Sequence, residues 1–453
     1  MNGKRLTGLL LMLAGGIVFA LWGNSLSHAK PLGGLDFRAL YEGAGCLIHH
    51  HDPFNPGELR EYYVATGDAR LYPEWALYTL TLLNYPPTIY PFTTPFALFP
   101  WAIAQPVWTV LTAVGFLLAA YLMWKLVEKD APIVAGCLIG FLLANSEITL
   151  SGGNAAGFAI SLCALALWCF LRERFALFGV LCLAASLAMK PHDAGLVWLY
   201  FLLVGGTSRK RAWQTLAANV ALGLAAVIWV SLVAPHWFTE MRATMAIYSA
   251  HGGANDPGIL GSPNSSFRSF SMAVFPGMLC SLQTIVAVFW DDPRFYNPFT
   301  YLFCAPFLVV WTIVSLCSSF AKERAYLALA AIVPFTLLIT YHRTTDTKLL
   351  LLTVPACVAL WKRGGATGKL ALALTGIGIV VTGDISLIVI GILVGQPNWI
   401  NAGWLTKIQM VLMYRPVPVV LLAMGMFYLW AYCKSARETM GASELPTMAP
   451  TEA

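Results

Sequence analysis

Three short polar stretches hold the side chains of this sequence that are equipped for chemistry. In GGLDFRALYEGA, Gly33 to Ala44, the carboxylate Asp36 stands among Phe37, Leu40 and Tyr41. KPHD gathers Lys190, His192 and Asp193, and YHRTTDTK gathers His342, Arg343, Asp346 and Lys348. Arginine suits a phosphate through two parallel hydrogen bonds, and lysine serves it as a point charge. Each stretch also has a plain structural reading. Asp36 is a fitting N-cap for a helix that starts beside it, and basic residues near span ends commonly snorkel to the interface.

Two further carboxylates, Asp384 within IVVTGDISLIV and Glu147, sit in apolar runs. Ionisable residues there are functional candidates by default. The other reading puts Asp384 near the outer end of its span, bonded to a neighbouring Thr or Ser. The run His49–His50–His51 predicts no metal site, because three consecutive imidazoles point in different directions and no second ligand motif accompanies them.

The elements that must position these residues are membrane helices. The 453-residue chain is 58% hydrophobic and 11% charged, whereas a soluble chain carries about a quarter of its residues charged. Its mean hydropathy is +0.68, and apolar runs of bilayer-spanning length recur. The fold class is therefore an all-α polytopic membrane protein. The net charge of +6 does not point to nucleic acid, since the basic residues are dispersed. Nine of the ten cysteines lie in or beside apolar segments and only Cys46 falls in a polar loop, which argues for packing rather than disulfides or metal. The run Leu6 to Gly23 follows Lys4 and Arg5 and reads as a retained first helix, in preference to a signal peptide cleaved after SHA at 27–29.

About twelve spans are expected, near 6–23, 103–124, 132–150, 155–171, 175–189, 193–206, 212–234, 299–320, 325–341, 347–361, 370–395 and 410–432. With these boundaries Lys4/Arg5, Lys125/Lys129, Arg172/Arg174, Arg209–Lys210–Arg211, Lys322/Arg324, Lys362/Arg363/Lys369 and Lys434/Arg437 all fall on one side. The positive-inside rule makes that side the cytoplasm. YPPTIYPFTTPFALFP, 85–100, is excluded as a span because its prolines interrupt a helix, and it reads as short helical pieces dipping into the outer face. A transmembrane domain over 1–434 then carries two large outer loops, 24–102 and 235–298, and a disordered cytoplasmic tail over 435–453. Within LDFRALYEGAGCLI the apolar residues recur at helical spacing, which predicts an interfacial helix. A second is expected from Glu58 to Thr66, after HHHDPFNP. No internal repeat is visible. The polar stretches collect on the outer side, where loops on a rigid scaffold carry function.

DFRALYEGA, HHDPFNP, YPPTIYPFTTPFALFP, GGNAAGFAISL, GVLCLAASLAMKP, PNSSFRSF and YHRTTDTKLLLLTVP, in this order, resemble the bacterial polyprenyl-phosphate-mannose-dependent mannosyltransferases of glycosyltransferase family 87, within the GT-C superfamily. The resemblance runs from about residue 5 to 360, through order and spacing rather than one motif; the last spans match in hydropathy alone. The chain departs from the family in having SGGN (151–154) where Gly-Gln-x-Asn is common, so that a glycine stands where a glutamine is usual, and in its three histidines before DPF.

The resemblance implies a GT-C bundle and a reaction on the outer face of the bacterial inner membrane, with both termini cytoplasmic. A hexose, mannose by the family's name, would pass with inversion from a polyprenyl phosphate to an acceptor hydroxyl on a glycolipid, polysaccharide or protein. It implies Asp36 as general base and counts His342 as the second catalytic residue. Arg343 with His342 comes first for the donor phosphate, followed by Lys190 and His192, with Lys348 in the same group. Tyr41, Tyr85, Asn154, Asn264, Arg268 and Asp346 would form the substrate groove. No cofactor is expected, and dependence on a divalent ion stays open. The competing readings are a secondary transporter, which needs polar groups near the midplane and usually an internal repeat, and a non-catalytic binding protein for lipid-linked sugars.

Overall fold

The computed structural model describes residues 2–29, 33–250, 255–257, 279–318, 320–386, 389 and 403–443. Among them all regular structure is helical, with one isolated bridge between Leu279 and Arg343. In chain order the helices are α1 Gly3–Ser27, α2 Leu35–Ile48, α3 Pro56–Ala65, α4 Glu74–Leu80, α5 Tyr90–Ala97, α6 Trp101–Val127, α7 Pro132–Leu143, α8 Glu147–Ser151, α9 Ala155–Arg172 and α10 Ala176–Met189. They continue as α11 Pro191–Val204, α12 Gly206–Val233, α13 Trp237–Ser249, α14 Gln283–Phe289, α15 Pro293–Cys317, α16 Lys322–Ile339, α17 Val354–Arg363, α18 Gly365–Val381, α19 Trp404–Tyr414 and α20 Pro416–Ser443. Short 3₁₀ turns occupy Asp68–Leu71, Pro87–Ile89 and Asp346–Thr353.

Six of these helices are long and apolar enough to cross a bilayer, α1, α6, α9, α12, α15 and α20, and α7, α10, α11 and α18 are shorter apolar helices. The chain is a multi-pass membrane protein. The described parts of the stretches expected to span are largely helical, and 132–150, 347–361 and 410–432 each divide into two helical pieces. Pro191 stops α10 and starts α11, since proline lacks the N–H to continue one helix and suits the first position of the next. Pro416 likewise divides the expected 410–432 span into α19 and α20. The last helix continues to Ser443, beyond the boundary set at 434. The expected 370–395 span is helical to Val381, and its part after 386 falls largely outside the described residues.

The Pro-rich segment forms the 3₁₀ turn at Pro87–Ile89 and α5, and the first outer loop carries α2 and then α3, which starts at Pro56. Along α2 the periodic apolar face buries Phe37, Leu40, Ala44 and Leu47 against Trp108, Tyr90 and Ala155. Its opposite face buries Arg38, which pairs with Glu42 at 2.5 Å and with Asp68, and lies 4.4 Å from the Trp101 ring. The amphipathic helix is therefore covered on both faces.

The bundle has two chemically different ends. At one end Lys362 pairs with Asp130 at 2.6 Å, Arg363 with Glu323 at 2.6 Å, and Arg172 donates to the Lys125 carbonyl at 2.6 Å. These bonds join four of the basic clusters expected on the cytoplasmic side. At the other end lie α2, the Lys190 corner and the 341–346 turn.

One seam fixes the framework between them. Helices α1 and α7 run so close that a Cβ on Gly15 would lie 1.9 Å from the Gly140 carbonyl oxygen, and one on Gly136 would lie 2.1 Å from that of Gly8. Small residues at such positions let helix backbones approach and gain dispersion contacts where lipid supplies no hydrophobic drive. A side chain at Gly15 meets backbone, which cannot turn aside. We predict that Gly15→Val destabilises the protein by more than the roughly 1–3 kcal/mol typical of overpacking. The check is the thermal aggregation midpoint in detergent. An unchanged midpoint contradicts the seam's structural role.

Candidate active site

The site is assembled from backbone outward. Helix α2 begins at Gly34, whose φ of 72° suits glycine, and has no side-chain cap. The expectation that Asp36 caps this helix is thus not met; Asp36 lies inside the first turn. The first amide groups of α2 are satisfied by the carboxyl end of α8 instead. Gly34 N–H donates to Ser151 O at 2.6 Å, and Asp36 and Phe37 N–H donate to Gly152 O at 2.9 and 3.3 Å. Phe37 stacks on Trp108, centroids 4.5 Å apart, which fixes the rotation of the helix.

With its backbone so held, the Asp36 carboxylate accepts from Asn154 Nδ2 at 2.7 Å. The same Asn154 caps α9, its Oδ1 accepting from Ala156 N–H at 2.9 Å. The cap decides which way the amide faces, so the donor is aimed at Asp36. The glycines of SGGN have physical reasons here. A Cβ at Gly152 would stand 3.4 Å from Asp36 Oδ2, and Gly153, at φ 65°, leaves room for Phe37, whose Cβ would otherwise be met at 2.7 Å.

Facing Asp36 is a second group. Lys190, at the α10–α11 corner, donates to Asp346 Oδ1 at 2.5 Å, and Asp346 Oδ2 accepts the Arg343 backbone N–H at 2.8 Å. The turn bearing Arg343 is tied to the chain before α14, where Cys280 N–H donates to His342 O at 2.9 Å. Arg343 Nε donates to the Tyr341 hydroxyl. Burial works against the charge of Arg343, but Tyr341 and then the Asp36 carboxylate favour it, and the guanidinium is held above its ordinary pKa. Asp36 and Arg343 therefore act on one another across the site.

Both groups open on one cavity of about 650 Å³. Asp36, Asn154, Lys190, His192, Arg343 and Asp346 provide its polar wall, and Tyr85 joins them. Leu35, Met189, Met241, Met245 and Tyr301 provide apolar wall. The arrangement offers a carboxylate base, two cations and a greasy flank within one space.

Other expected site residues stand elsewhere. His342 is fully buried behind the wall; its Nδ1 lies 3.1 Å from Thr340 O and its Nε2 3.3 Å from Asp193 Oδ1. Burial lowers its pKa, the Asp193 contact raises it, and the balance lies above the ordinary histidine value. Lys348 is removed from the cavity, bonded to Asn145 O at 2.6 Å and to Asp384 Oδ1 at 3.2 Å. Asp384 in turn accepts Ile148 N–H at 2.6 Å, so this pair secures the start of α8. Tyr41 packs on Trp101 and donates to Phe99 O at 2.8 Å, outside the cavity wall. Asn264 and Arg268 lie outside the described residues.

Sequence reasoning named Asp193 within KPHD without giving it a part in the site, and it did not single out Tyr341, Tyr248 or Gln283. Asp193 and Tyr341 stood inside the stretches KPHD and YHRTTD, but nothing in their spacing set them apart from their neighbours. Tyr248 and Gln283 line the cavity from the 235–298 stretch and carried no signal.

The family model for glycosyltransferase family 87 matches residues 83–340, more than half of the chain. No curated protein and no solved structure matches it. The matched residues include Asn154, Lys190 and His192; Asp36 and Arg343 lie outside them and join the site through the contacts above.

Breaking a buried ion pair by removing one partner costs about 3–5 kcal/mol, because the other charge is left uncompensated. Lys190→Met and Asp346→Leu are each expected to lower the unfolding midpoint strongly, and the double variant is expected to recover much of the loss. A double-mutant cycle on the unfolding midpoint checks this. Additive losses would contradict the pairing.

Proposed function

The chain belongs to glycosyltransferase family 87, and from that premise we propose that it transfers a hexose, mannose first, from a polyprenyl phosphate to an acceptor hydroxyl with inversion. Asp36 takes the proton of the acceptor hydroxyl as general base. Lys190 and Arg343 face the donor phosphate and answer the negative charge that grows on it as the sugar leaves; charge that develops in the transition state is where fixed cations lower the barrier. Asn154 orients the base. His342, buried behind the wall, does not meet the donor directly. A glycolipid, polysaccharide or protein supplies the acceptor hydroxyl.

The observation that carries the reading is the single cavity shared by Asp36, Lys190 and Arg343. Its apolar flank suits a donor whose carrier stays in lipid. The end of the bundle opposite to the basic clusters holds this cavity; read with the positive-inside rule, that end faces away from the cytoplasm, and the bacterial inner membrane follows from the family resemblance alone. Both termini are then cytoplasmic.

The experiment is a transfer assay in liposomes with labelled polyprenyl-phosphate-mannose, a lipid extract as acceptor, and nucleotide-linked mannose as control donor. Wild type is expected to move label from the lipid donor alone. Asp36→Asn is expected to lose at least about 100-fold in rate, the lower range for removing a general base, with an unchanged elution profile. Full activity in Asp36→Asn would contradict the assignment of the base, and transfer from the nucleotide sugar alone would contradict the donor.

A further inference from the structure

Behind the cavity wall, His192, Asp193 and His342 bring one ligand atom each within 4.8 Å of one another. His192 Nε2 lies 3.9 Å and His342 Nε2 3.3 Å from Asp193 Oδ1. Asp193 and His342 are both fully buried, and neither carboxylate oxygen of Asp193 nor Nε2 of His342 has a well-formed hydrogen bond. A buried polar group without a partner costs free energy and calls for an explanation.

The tautomer of His342 sharpens the point. Its Nδ1 lies 3.1 Å from the Thr340 carbonyl oxygen and 3.4 Å from the Thr340 hydroxyl; the shorter contact is to an atom that can only accept, which a hydrogen on Nδ1 satisfies. A neutral ring then turns the Nε2 lone pair towards a carboxylate oxygen, and a cation has to stand between them. A proton on Nε2 answers one oxygen and leaves the other Asp193 oxygen and His192 unused. A metal ion answers all three. Histidine ligands are commonly oriented through the other ring nitrogen by a backbone carbonyl, as Thr340 does here.

We propose that His192, Asp193 and His342 form a three-ligand site for a divalent transition ion of the zinc class, set in the wall of the cavity. Ions of this class bind nitrogen and carboxylate oxygen at about 2.0–2.2 Å in tetrahedral geometry, which spaces ligand atoms near 3.3 Å. The Asp193–His342 spacing meets this, and His192, half-exposed on the cavity side, closes the remainder by turning its ring. The charge of Lys190 is answered by Asp346 at 2.5 Å, so it does not bar a cation. Binding displaces the proton held between His342 and Asp193 and so strengthens with pH. Three protein ligands leave a fourth position. A phosphate oxygen of the donor suits that position, and this last step rests on the function proposed above.

The test uses the full chain in detergent, purified through a tag without histidine, in a background where His49, His50 and His51 are replaced by serine. The protein is loaded with Zn²⁺ or Co²⁺, desalted and analysed for metal. The expected result is about one ion per chain, with the visible absorption band of four-coordinate Co²⁺. His192→Ala and Asp193→Asn are expected to lower metal affinity at least tenfold. Should Asp193→Asn fail to fold, His192→Ala, at an exposed position, decides alone. A wild type that retains no ion, or His192→Ala protein that retains it equally well, overturns the proposal. Metal content is read without any sugar transfer, so its failure is distinct from failure of the proposed reaction: active protein without metal overturns the site alone, and metal-bound protein without transfer overturns the reaction alone.

Discussion

The site hangs on the junction between the carboxyl end of α8 and the amino end of α2. A helix begins with amide donors that need acceptors, and near a bilayer an unmet backbone group costs several kcal/mol. Ser151 and Gly152 supply those acceptors, so the position of Asp36 is set by backbone rather than by its own side chain. What fixes α8 therefore fixes Asp36. The glycine seam with α1 holds α7, the segment before it. Asp384 and Lys348 grip the break between α7 and α8. Asp384, an ionisable residue deep in an apolar run, is thereby given a structural duty and leaves the cavity to others.

Charge is arranged in the cavity by a similar economy. Lys190 and Asp346 neutralise one another, while Asp346 also holds the backbone that carries Arg343. The Asp36 carboxylate is among the groups that favour the charged form of Arg343 across the space. Arg343 thus keeps its charge in a buried site, as the proposed role towards a donor phosphate needs. An incoming phosphate would take up part of Arg343's field, and Asp36 would then meet the acceptor hydroxyl beside the departing charge.

Much of this was legible in the sequence because its signals are local. Hydropathy and basic clusters give the spans and their two ends, and the spacing of Phe37, Leu40, Ala44 and Leu47 gives α2. The prolines at 86–100 and 191 mark breaks that the structure has. The finer site was less legible because it depends on which helix faces which, and sequence spacing does not carry that. Lys348 and Arg343 lie in one motif, yet the 3₁₀ turn that begins at Asp346 carries Lys348 to the Asp384 contact, while Arg343, before it, meets the cavity. Tyr41 shares α2 with Asp36 but falls on the face turned to Trp101. Asp193 looked like a flank of KPHD, and only the approach of the 342 turn, distant in sequence, reveals its unmet oxygens.

The most direct test of this account is a cryo-electron-microscopy map of the Asp36→Asn variant trapped with intact polyprenyl-phosphate-mannose. The account predicts the phosphate within hydrogen-bond distance of Lys190 and Arg343, the sugar between them and position 36, and the prenyl chain along the Met241–Met245 flank. A phosphate seated away from both cations, or a lipid held outside this cavity, would contradict it.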